Sequence, residues 1–274
     1  MEARAAVIQF PGVNCEFETV RALREAGLEA EIAPWNRTED LLDRYGGFVL
    51  PGGFSYQDRV RGGVIASREP VMDVMAEAAA RGMPVLGICN GAQILVESGL
   101  VPGMKPDAVE AALAPNRIPH RTGYHCAWVH VAHTGKGSFL GRVLGDGETI
   151  PLPVAHGEGR FVSKDPGLFP ALLEAGQVVL RYASPGGETA EEFPLCPNGS
   201  TFAAAAISNR EGNVVAMMPH PERALHLHHV PDDLPGPWGE RKGAAAGPED
   251  LFAPGPGRAV IDAFAAAVKE GGRP

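Results

Sequence analysis

The stretch PVLGICNGAQIL, from Pro84 to Leu95, places a cysteine between two glycines where an apolar run meets a helical pattern. The residues up to that point, MPVLGI, are apolar and rich in strand-forming side chains, which predicts a short buried strand. From Ala92 to Glu97 the apolar residues return to helical spacing. Cys89 therefore lies on a predicted turn from a strand into a helix.

The predicted turn at Cys89 suits a nucleophile. In hydrolases, a sharp turn from strand to helix lifts the nucleophile out of the sheet. Gly87 and Gly91 allow the tight backbone that such a turn needs. The new helix directs its free N–H groups and the positive end of its dipole at the sulfur, which favours the thiolate. The alternative is that Cys89 is a small buried hydrophobe, as many free cysteines are.

Strands and helices alternate along the first half of the chain. Predicted strands are AAVIQF, LEAEIA, FVLPGG and MPVLGI, with helical spacing at 17–26 and 70–81. The second half is richer in strands: CAWVHVAH, IPLPVAH, QVVLRYA, FAAAAIS and NVVAMM. A predicted helix from Arg258 to Lys269 follows them. This order predicts an α/β fold, one domain over residues 1–274, with a mostly parallel sheet and helices on both faces.

Composition excludes several classes of function. The net charge of −9 argues against a general role in binding nucleic acid or anionic membranes. No apolar run is long enough to span a bilayer, and the N-terminal residues lack the pattern of a signal peptide. The four cysteines form no C-x-x-C pair, so we expect free thiols and a cytoplasmic protein.

His220 is the candidate base for Cys89. It follows an apolar strand in the stretch VVAMMPHPERA, so it also lies beyond the carboxyl end of a strand, where ligands of such folds bind. Pro221 favours extended backbone, in which residues two apart point the same way, and this places Glu222 beside His220. A cysteine, a base and a group that orients the base form a nucleophilic triad. The alternative for this stretch is a surface turn.

Taken together, these stretches resemble the triad (class I) glutamine amidotransferases. The segments FPGVNCE, LPGGFSYQD, GICNGAQIL, AHGEGRF, PNGS and MMPHPERA occur in the order typical of one family. That family is the glutaminase subunit of phosphoribosylformylglycinamidine synthase, an enzyme of purine biosynthesis. The resemblance covers the chain to about Ala224 and the closing helix, and it implies a flavodoxin-like α/β fold.

The resemblance implies a role for each matching residue. Cys89 attacks the side-chain amide of glutamine and forms a glutamyl thioester. His220 gives a proton to the departing ammonia and then activates water, while Glu222 orients His220. The backbone N–H groups of Gly53 and Asn90 form the oxyanion hole. Four further residues are expected to line the glutamine pocket: Gly52, Phe54, Gln93 and His156. His156 is expected near the mouth of the site, facing glutamine or the synthetase; the alternative is a turn held by its glycine neighbours.

The resemblance also implies partners. The chain has no Walker A or dinucleotide-binding motif, so ATP and magnesium are expected on a partner and no cofactor or metal in this chain. The expected partners are a large synthetase subunit, which converts formylglycinamide ribonucleotide to formylglycinamidine ribonucleotide, and a small accessory subunit. Two alternatives remain: a subunit serving another synthetase, and a non-enzymatic relative that shares the cysteine turn.

Three features depart from the family pattern. Gln57 stands where the family usually has glycine, and an arginine is missing near Ala127. Residues 225–257 form a Pro/Gly-rich insertion before the last helix, and we predict that 231–254 are a mobile surface loop anchored at most by Leu234, Trp238, Leu251 and Phe252. The histidines of HLHH (226–229) complete no standard metal-site spacing, so we expect them to be solvated.

Overall fold

The computed structural model describes residues 3–106, 108–135 and 137–271. Its helices and strands are, in chain order, β1 (Arg4–Gln9), α1 (Glu16–Glu25), β2 (Glu29–Pro34), α2 (Leu41–Arg44), β3 (Gly47–Leu50), α3 (Val71–Ala80), β4 (Val85–Ile88), α4 (Asn90–Glu97), β5 (Ala112–Pro115), β6 (His125–His133), β7 (Thr149–His156), β8 (Glu158–Val162), α5 (Leu168–Glu174), β9 (Val178–Ala183), β10 (Ala204–Ser208), β11 (Val214–Met217), α6 (Pro237–Gly243), α7 (Pro248–Leu251) and α8 (Arg258–Lys269).

Nine strands form one sheet in the order β2-β1-β3-β4-β11-β10-β9-β6-β7. The first five of these are mutually parallel, and each later strand is antiparallel to its neighbour. β9 and β7 therefore return to the direction of the first five, while β10 and β6 oppose it. The predicted α/β fold with a mostly parallel sheet is confirmed. Strands from both halves of the sequence share this sheet, and the single domain over 1–274 stays a prediction.

Helices cover both faces of the sheet, as predicted. A Cβ on Gly47 of β3 would meet the side chains of Val268 and Phe264 from α8. Leu50, three residues along the same strand, instead lies against Gly91 of α4. Because side chains alternate along a strand, α8 and α4 lie on opposite faces. The strands between them are buried throughout, which places the main core on both sides of β3, β4 and β11.

The insertion lies on the surface but is not an unbroken loop. It contains α6 and α7, each of which begins with a proline after a glycine, a sequence suited to starting a helix. Within 231–254 only Gly239 is buried, so the segment builds no core of its own, as its composition predicts. Its mobility stays a prediction. No helix in the described ranges has both the length and the apolar character needed to cross a membrane.

Candidate active site

Cys89 occupies the predicted turn between β4 and α4. Its backbone has φ 51° and ψ −103°, a strained conformation for a residue other than glycine, and its side chain is 6% exposed. α4 begins at the next residue, so its unpaired N–H groups lie close to the sulfur. A Cβ on Gly91 would lie 1.9 Å from the carbonyl oxygen of Leu50, so only glycine permits this approach of helix to sheet.

His220 follows β11, the strand next to the one that carries Cys89. β11 lies parallel to β4 with Met217 opposite Ile88, and the N–H of Cys89 donates to the carbonyl of Met217 at 2.8 Å. His220 follows three residues later on extended backbone (φ −103°, ψ 90°). Its Nδ1 lies 2.5 Å from Oε1 of Glu222, and both side chains are buried. The predicted pairing of histidine and carboxylate is therefore present.

The charge of His220 is set by opposing effects. Burial lowers its pKa, but the Glu222 carboxylate and the Cys89 sulfur raise it by more, so the pKa lies well above the usual value. A protonated imidazole next to the sulfur stabilises the thiolate of Cys89, the form that attacks an amide carbon.

The candidate oxyanion hole consists of the N–H groups of Gly53 and Asn90. Gly53 has φ 147°, and a Cβ there would lie 2.5 Å from Cα of Val13, so no other residue fits. Its neighbours hold the turn, since Phe54 N–H donates to Gly12 and Asn14 N–H donates to Gly52. In the described chain, neither the N–H of Gly53 nor that of Asn90 donates to another residue. Both donors are therefore available to an oxyanion.

The loop after Gly53 is strained. Four residues other than glycine have left-handed backbone there: Tyr56, Gln57, Asp58 and Val60. Each costs on the order of 1–2 kcal/mol relative to ordinary conformations. Gln57, which stands where the family usually has glycine, has φ 61°, so this chain adopts left-handed backbone there without a glycine.

The side chain of Asn90 ties this loop to α4. Its Oδ1 accepts the N–H of Ser55 at 3.0 Å, and its Nδ2 donates to Gln93 at 2.8 Å and to Asp58 at 3.3 Å. Burial, with the nearby charge of Glu158, raises the pKa of Asp58 to about 6. The strained loop is therefore held by one buried amide and one carboxyl that protonates easily.

Gln93 is engaged within the protein. Its Nε2 donates to the carbonyl of Glu158 at 2.7 Å, and its Oε1 accepts from Asn90. The amide thus joins α4 to β8 rather than pointing freely at the pocket. Its contact with glutamine stays a prediction.

His156 is buried rather than exposed at a mouth, which corrects the expected position. Its Nδ1 lies 3.0 Å from Oδ1 of Asn116, and its ring packs on the Cα side of Gly159. Burial, and then the charge of His220, lower the pKa of His156 to about 3, so the ring is neutral. Nε2 is left without a hydrogen-bond partner in the described chain.

Two aromatic rings flank the entrance to the site. Phe54 is 43% exposed, and its ring centroid lies 6.3 Å from that of Tyr124. The hydroxyl of Tyr124 donates to the carbonyl of Ala155 at 2.9 Å, and Sγ of Cys89 lies 3.6 Å from the same oxygen. The sequence predicted Phe54 as a pocket residue but not Tyr124, because no local pattern in HRTGYH indicates a contact with a distant part of the chain.

Two of the HLHH histidines, His226 and His228, are half-buried and contact the insertion, whereas His229 is exposed as expected. His226 contacts the carbonyl of Phe252 at 3.0 Å through Nδ1 and Glu25 of α1 at 3.1 Å through Nε2. His228 contacts the carbonyl of Leu251 at 3.3 Å. In the described chain, the histidines of 226–229 do not form a cluster of possible metal ligands. Among the described residues, one group brings three such atoms within 4.8 Å of one another, and it consists of Cys15, His220 and Glu222.

Comparison with known proteins decides the family. The sequence profile of the CobB/CobQ-like glutamine amidotransferase domain matches residues 2–245. The chain belongs to this glutamine amidotransferase family. Among curated relatives of this amidotransferase, phosphoribosylformylglycinamidine synthase subunit PurQ of Methanothrix thermoacetophila is 47% identical over 277 residues, covering 97% of this chain and 98% of the relative.

Two further likenesses support the same family. The PurQ subunit of Pyrococcus furiosus is 42% identical over 221 residues, which is 81% of the amidotransferase chain and 89% of the relative. Among solved structures, PurLQS from Thermotoga maritima superposes with a TM-score of 0.72 at 31% identity, covering 98% of this chain and all of that one.

Proposed function

We propose that this amidotransferase is the glutamine-hydrolysing subunit of phosphoribosylformylglycinamidine synthase, working in the cytoplasm. The observation that carries the proposal is the meeting of Cys89 with the His220–Glu222 pair at the ends of two adjacent parallel strands. The full-length likeness to the PurQ subunit of Methanothrix thermoacetophila supports the choice of synthetase. The released ammonia converts formylglycinamide ribonucleotide to formylglycinamidine ribonucleotide on a partner subunit.

The proposed reaction begins with attack of the Cys89 thiolate on the side-chain carbonyl carbon of glutamine. The negative oxygen of the tetrahedral intermediate accepts hydrogen bonds from the N–H groups of Gly53 and Asn90. His220 gives its proton to the departing nitrogen, ammonia leaves and a glutamyl thioester remains. His220, now neutral, takes a proton from water, which attacks the thioester and releases glutamate. Glu222 holds the imidazole and stabilises its protonated form throughout.

Several further residues surround the reacting atoms. Gly52 lets the imidazole approach closely, because a Cβ there would lie 2.7 Å from Cε1 of His220. We propose Phe54 as one wall and the unpartnered Nε2 of His156 as an acceptor towards the substrate. Gln93 would contact glutamine only after giving up one of its internal hydrogen bonds.

The partners follow from the chemistry. Hydrolysis of an amide does not drive a ligation, so we assign ATP and magnesium to the synthetase subunit. The similar Thermotoga maritima structure is of PurLQS. By that likeness, we propose that this chain works with a large synthetase subunit and a small accessory subunit.

The test separates the two halves of the reaction. In the assembled complex, Cys89→Ala should abolish synthesis from glutamine, since no other group forms the thioester. Synthesis from added ammonium salts should remain within about twofold of wild type, because that step belongs to the partner. Loss of both activities in a complex that still assembles would contradict this division, and retention of both would contradict the nucleophile.

A further inference from the structure

A second cysteine lies against the triad. Cys15, which directly precedes α1, is 1% exposed and unpaired. Ligand atoms of Cys15, His220 and Glu222 lie within 4.8 Å of one another. The reaction described above gives this thiol no task.

The backbone fixes Cys15 to the turn that carries the oxyanion donor. The N–H groups of Asn14 and Cys15 both donate to the carbonyl of Gly52, each at 3.2 Å. The space beside the Cα of Gly52 is shared by two side chains. A Cβ placed there would lie 2.7 Å from Cε1 of His220 and 3.1 Å from Sγ of Cys15. The sulfur and the imidazole are thus packed together over the same glycine.

Hydrogen bonds fix the orientation of the thiol. Its S–H donates to Oδ1 of Asn14 at 3.2 Å, and Sγ accepts from Nη2 of Arg223 at 3.0 Å. Arg223 in turn lies 3.2 Å from Glu18 and 3.9 Å from Glu222. The sulfur therefore sits between the catalytic imidazole and a guanidinium that also touches the catalytic carboxylate.

The thiol of Cys15 is neutral near pH 7. Burial raises its pKa above the usual value, although the nearby His220 imidazole acts in the opposite direction. A neutral, buried thiol does not compete with Cys89 as a nucleophile. It offers the imidazole a polarisable neighbour of fixed position.

We propose that Cys15 is a positioning residue: its thiol, held by Asn14 and Arg223, keeps the His220 ring aligned with Glu222 and with the Gly52–Gly53 turn. This inference rests on the proposed glutaminase function. It extends the site to the segment FPGVNCE, which the triad itself does not use.

The first measurement is steady-state kinetics of the assembled complex. Cys15→Ala should lower kcat with glutamine about tenfold, because a loosened imidazole spends less time in the reactive geometry. KM for glutamine should stay within about twofold, since the thiol does not touch substrate. Cys15→Ser, which keeps a donor and an acceptor, should recover most of the loss. Cys196→Ala is the matched control, because Cys196 is also a fully buried free thiol.

The second measurement needs neither partner nor turnover. The adjacent Cys15 thiol contributes to the raised pKa of His220. In the isolated chain, the NMR titration midpoint of the His220 imidazole should therefore be lower in Cys15→Ala than in wild type. In Cys15→Ser it should lie between the wild-type and Cys15→Ala values, and in Cys196→Ala it should equal the wild-type value. The His220 signal is identified by its loss in His220→Gln.

The outcomes separate this inference from the proposed function. A wild-type complex without glutamine-dependent activity would defeat the proposed function, while the His220 titration would still test Cys15. An active wild-type complex with unchanged kcat and an unchanged His220 midpoint in Cys15→Ala would overturn the positioning role. Equal losses of activity and thermal stability in Cys15→Ala and Cys196→Ala would overturn it too. If Cys15→Ala does not fold, Cys15→Ser decides by the same two measurements.

Discussion

The nucleophile turn and the insertion show opposite ways of holding a segment in place. Every residue from Pro84 to Glu97 is buried, and glycines set the approach of α4 to the sheet. In 231–254 only Gly239 is buried, and a few polar contacts, such as those of His226 and Lys242, attach the segment. The first region tolerates almost no change of shape, whereas the second depends on contacts that are individually weak. Substitutions of the same kind should therefore have very different effects in the two regions.

The largest contrast should be between two neighbouring histidine sites. Glu222→Gln removes the charge that stabilises protonated His220, so kcat with glutamine should fall by about a hundredfold or more, and His220→Ala should be worse. His226→Ala, at the base of the insertion, should leave kcat within about twofold, because its ring contacts Glu25, Phe252 and the two neighbouring histidines, all outside the triad. Kinetics of the assembled complex measure both. Unimpaired activity of Glu222→Gln would show that Glu222 is not the third member of the triad.

A pair of identical glycine substitutions tests the packing itself. Gly91→Ala puts a methyl group 1.9 Å from the Leu50 carbonyl and should destabilise the fold by at least about 3 kcal/mol. Gly243→Ala lies in α6 with open space around it and should be neutral or stabilising by up to about 1 kcal/mol. Chemical denaturation of both variants gives the comparison. Similar free energies of unfolding would mean that the turn is less constrained than its geometry indicates.

The strained loop next to the turn should respond to a partner. We expect the isolated chain to be a poor glutaminase, because without a partner the Gly53 peptide can rotate out of the described orientation and withhold an oxyanion donor worth roughly 3–4 kcal/mol in the transition state. Adding the synthetase subunits with their ligands should raise the rate of glutamate release at least about tenfold. A change of this size corresponds to only ~1.4 kcal/mol of activation free energy. Glutamate assays with and without the partners measure the ratio. Full activity of the isolated chain would contradict the coupling.

The smallest effect is expected from shortening the insertion. The antiparallel bridge between His226 and Pro254 keeps its two ends close. Replacing 231–252 by a Gly/Ser linker of about eight residues, with Ala253 and Pro254 kept, should therefore leave kcat and thermal stability nearly unchanged. Calorimetry and kinetics test the variant. A folded protein that no longer binds the synthetase would show instead that the insertion is a docking element.

The same contrast explains what the sequence could predict. The strands around the site are apolar runs with strong β-propensity, and Cys89, His220 and Glu222 follow from spacing within short stretches. β5 and β8 were missed because ALAP and EGRFV are short and interrupted by proline or glycine, and their pairing joins distant parts of the chain. Contacts made only by tertiary packing were also missed.

Cys15 and His156 are examples of residues whose contacts arise only from tertiary packing. Cys15 meets His220 only because both pack against Gly52, and no local pattern records this. His156 was expected at the mouth, but Asn116, forty positions earlier, draws it inward. The helices of the insertion were hidden by its high content of proline and glycine, which here mark helix starts.

The position of β11 in the sheet has a consequence for folding during synthesis on the ribosome. β11 is the last strand in the sequence yet the central one in the sheet, and it brings the base to a nucleophile made much earlier. A nascent chain that already contains Cys89 has no His220 beside it and an open edge on β4. Glutamine hydrolysis therefore cannot begin before His220 has been synthesised and β11 has paired with β4, so shorter nascent chains do not consume the cell's glutamine.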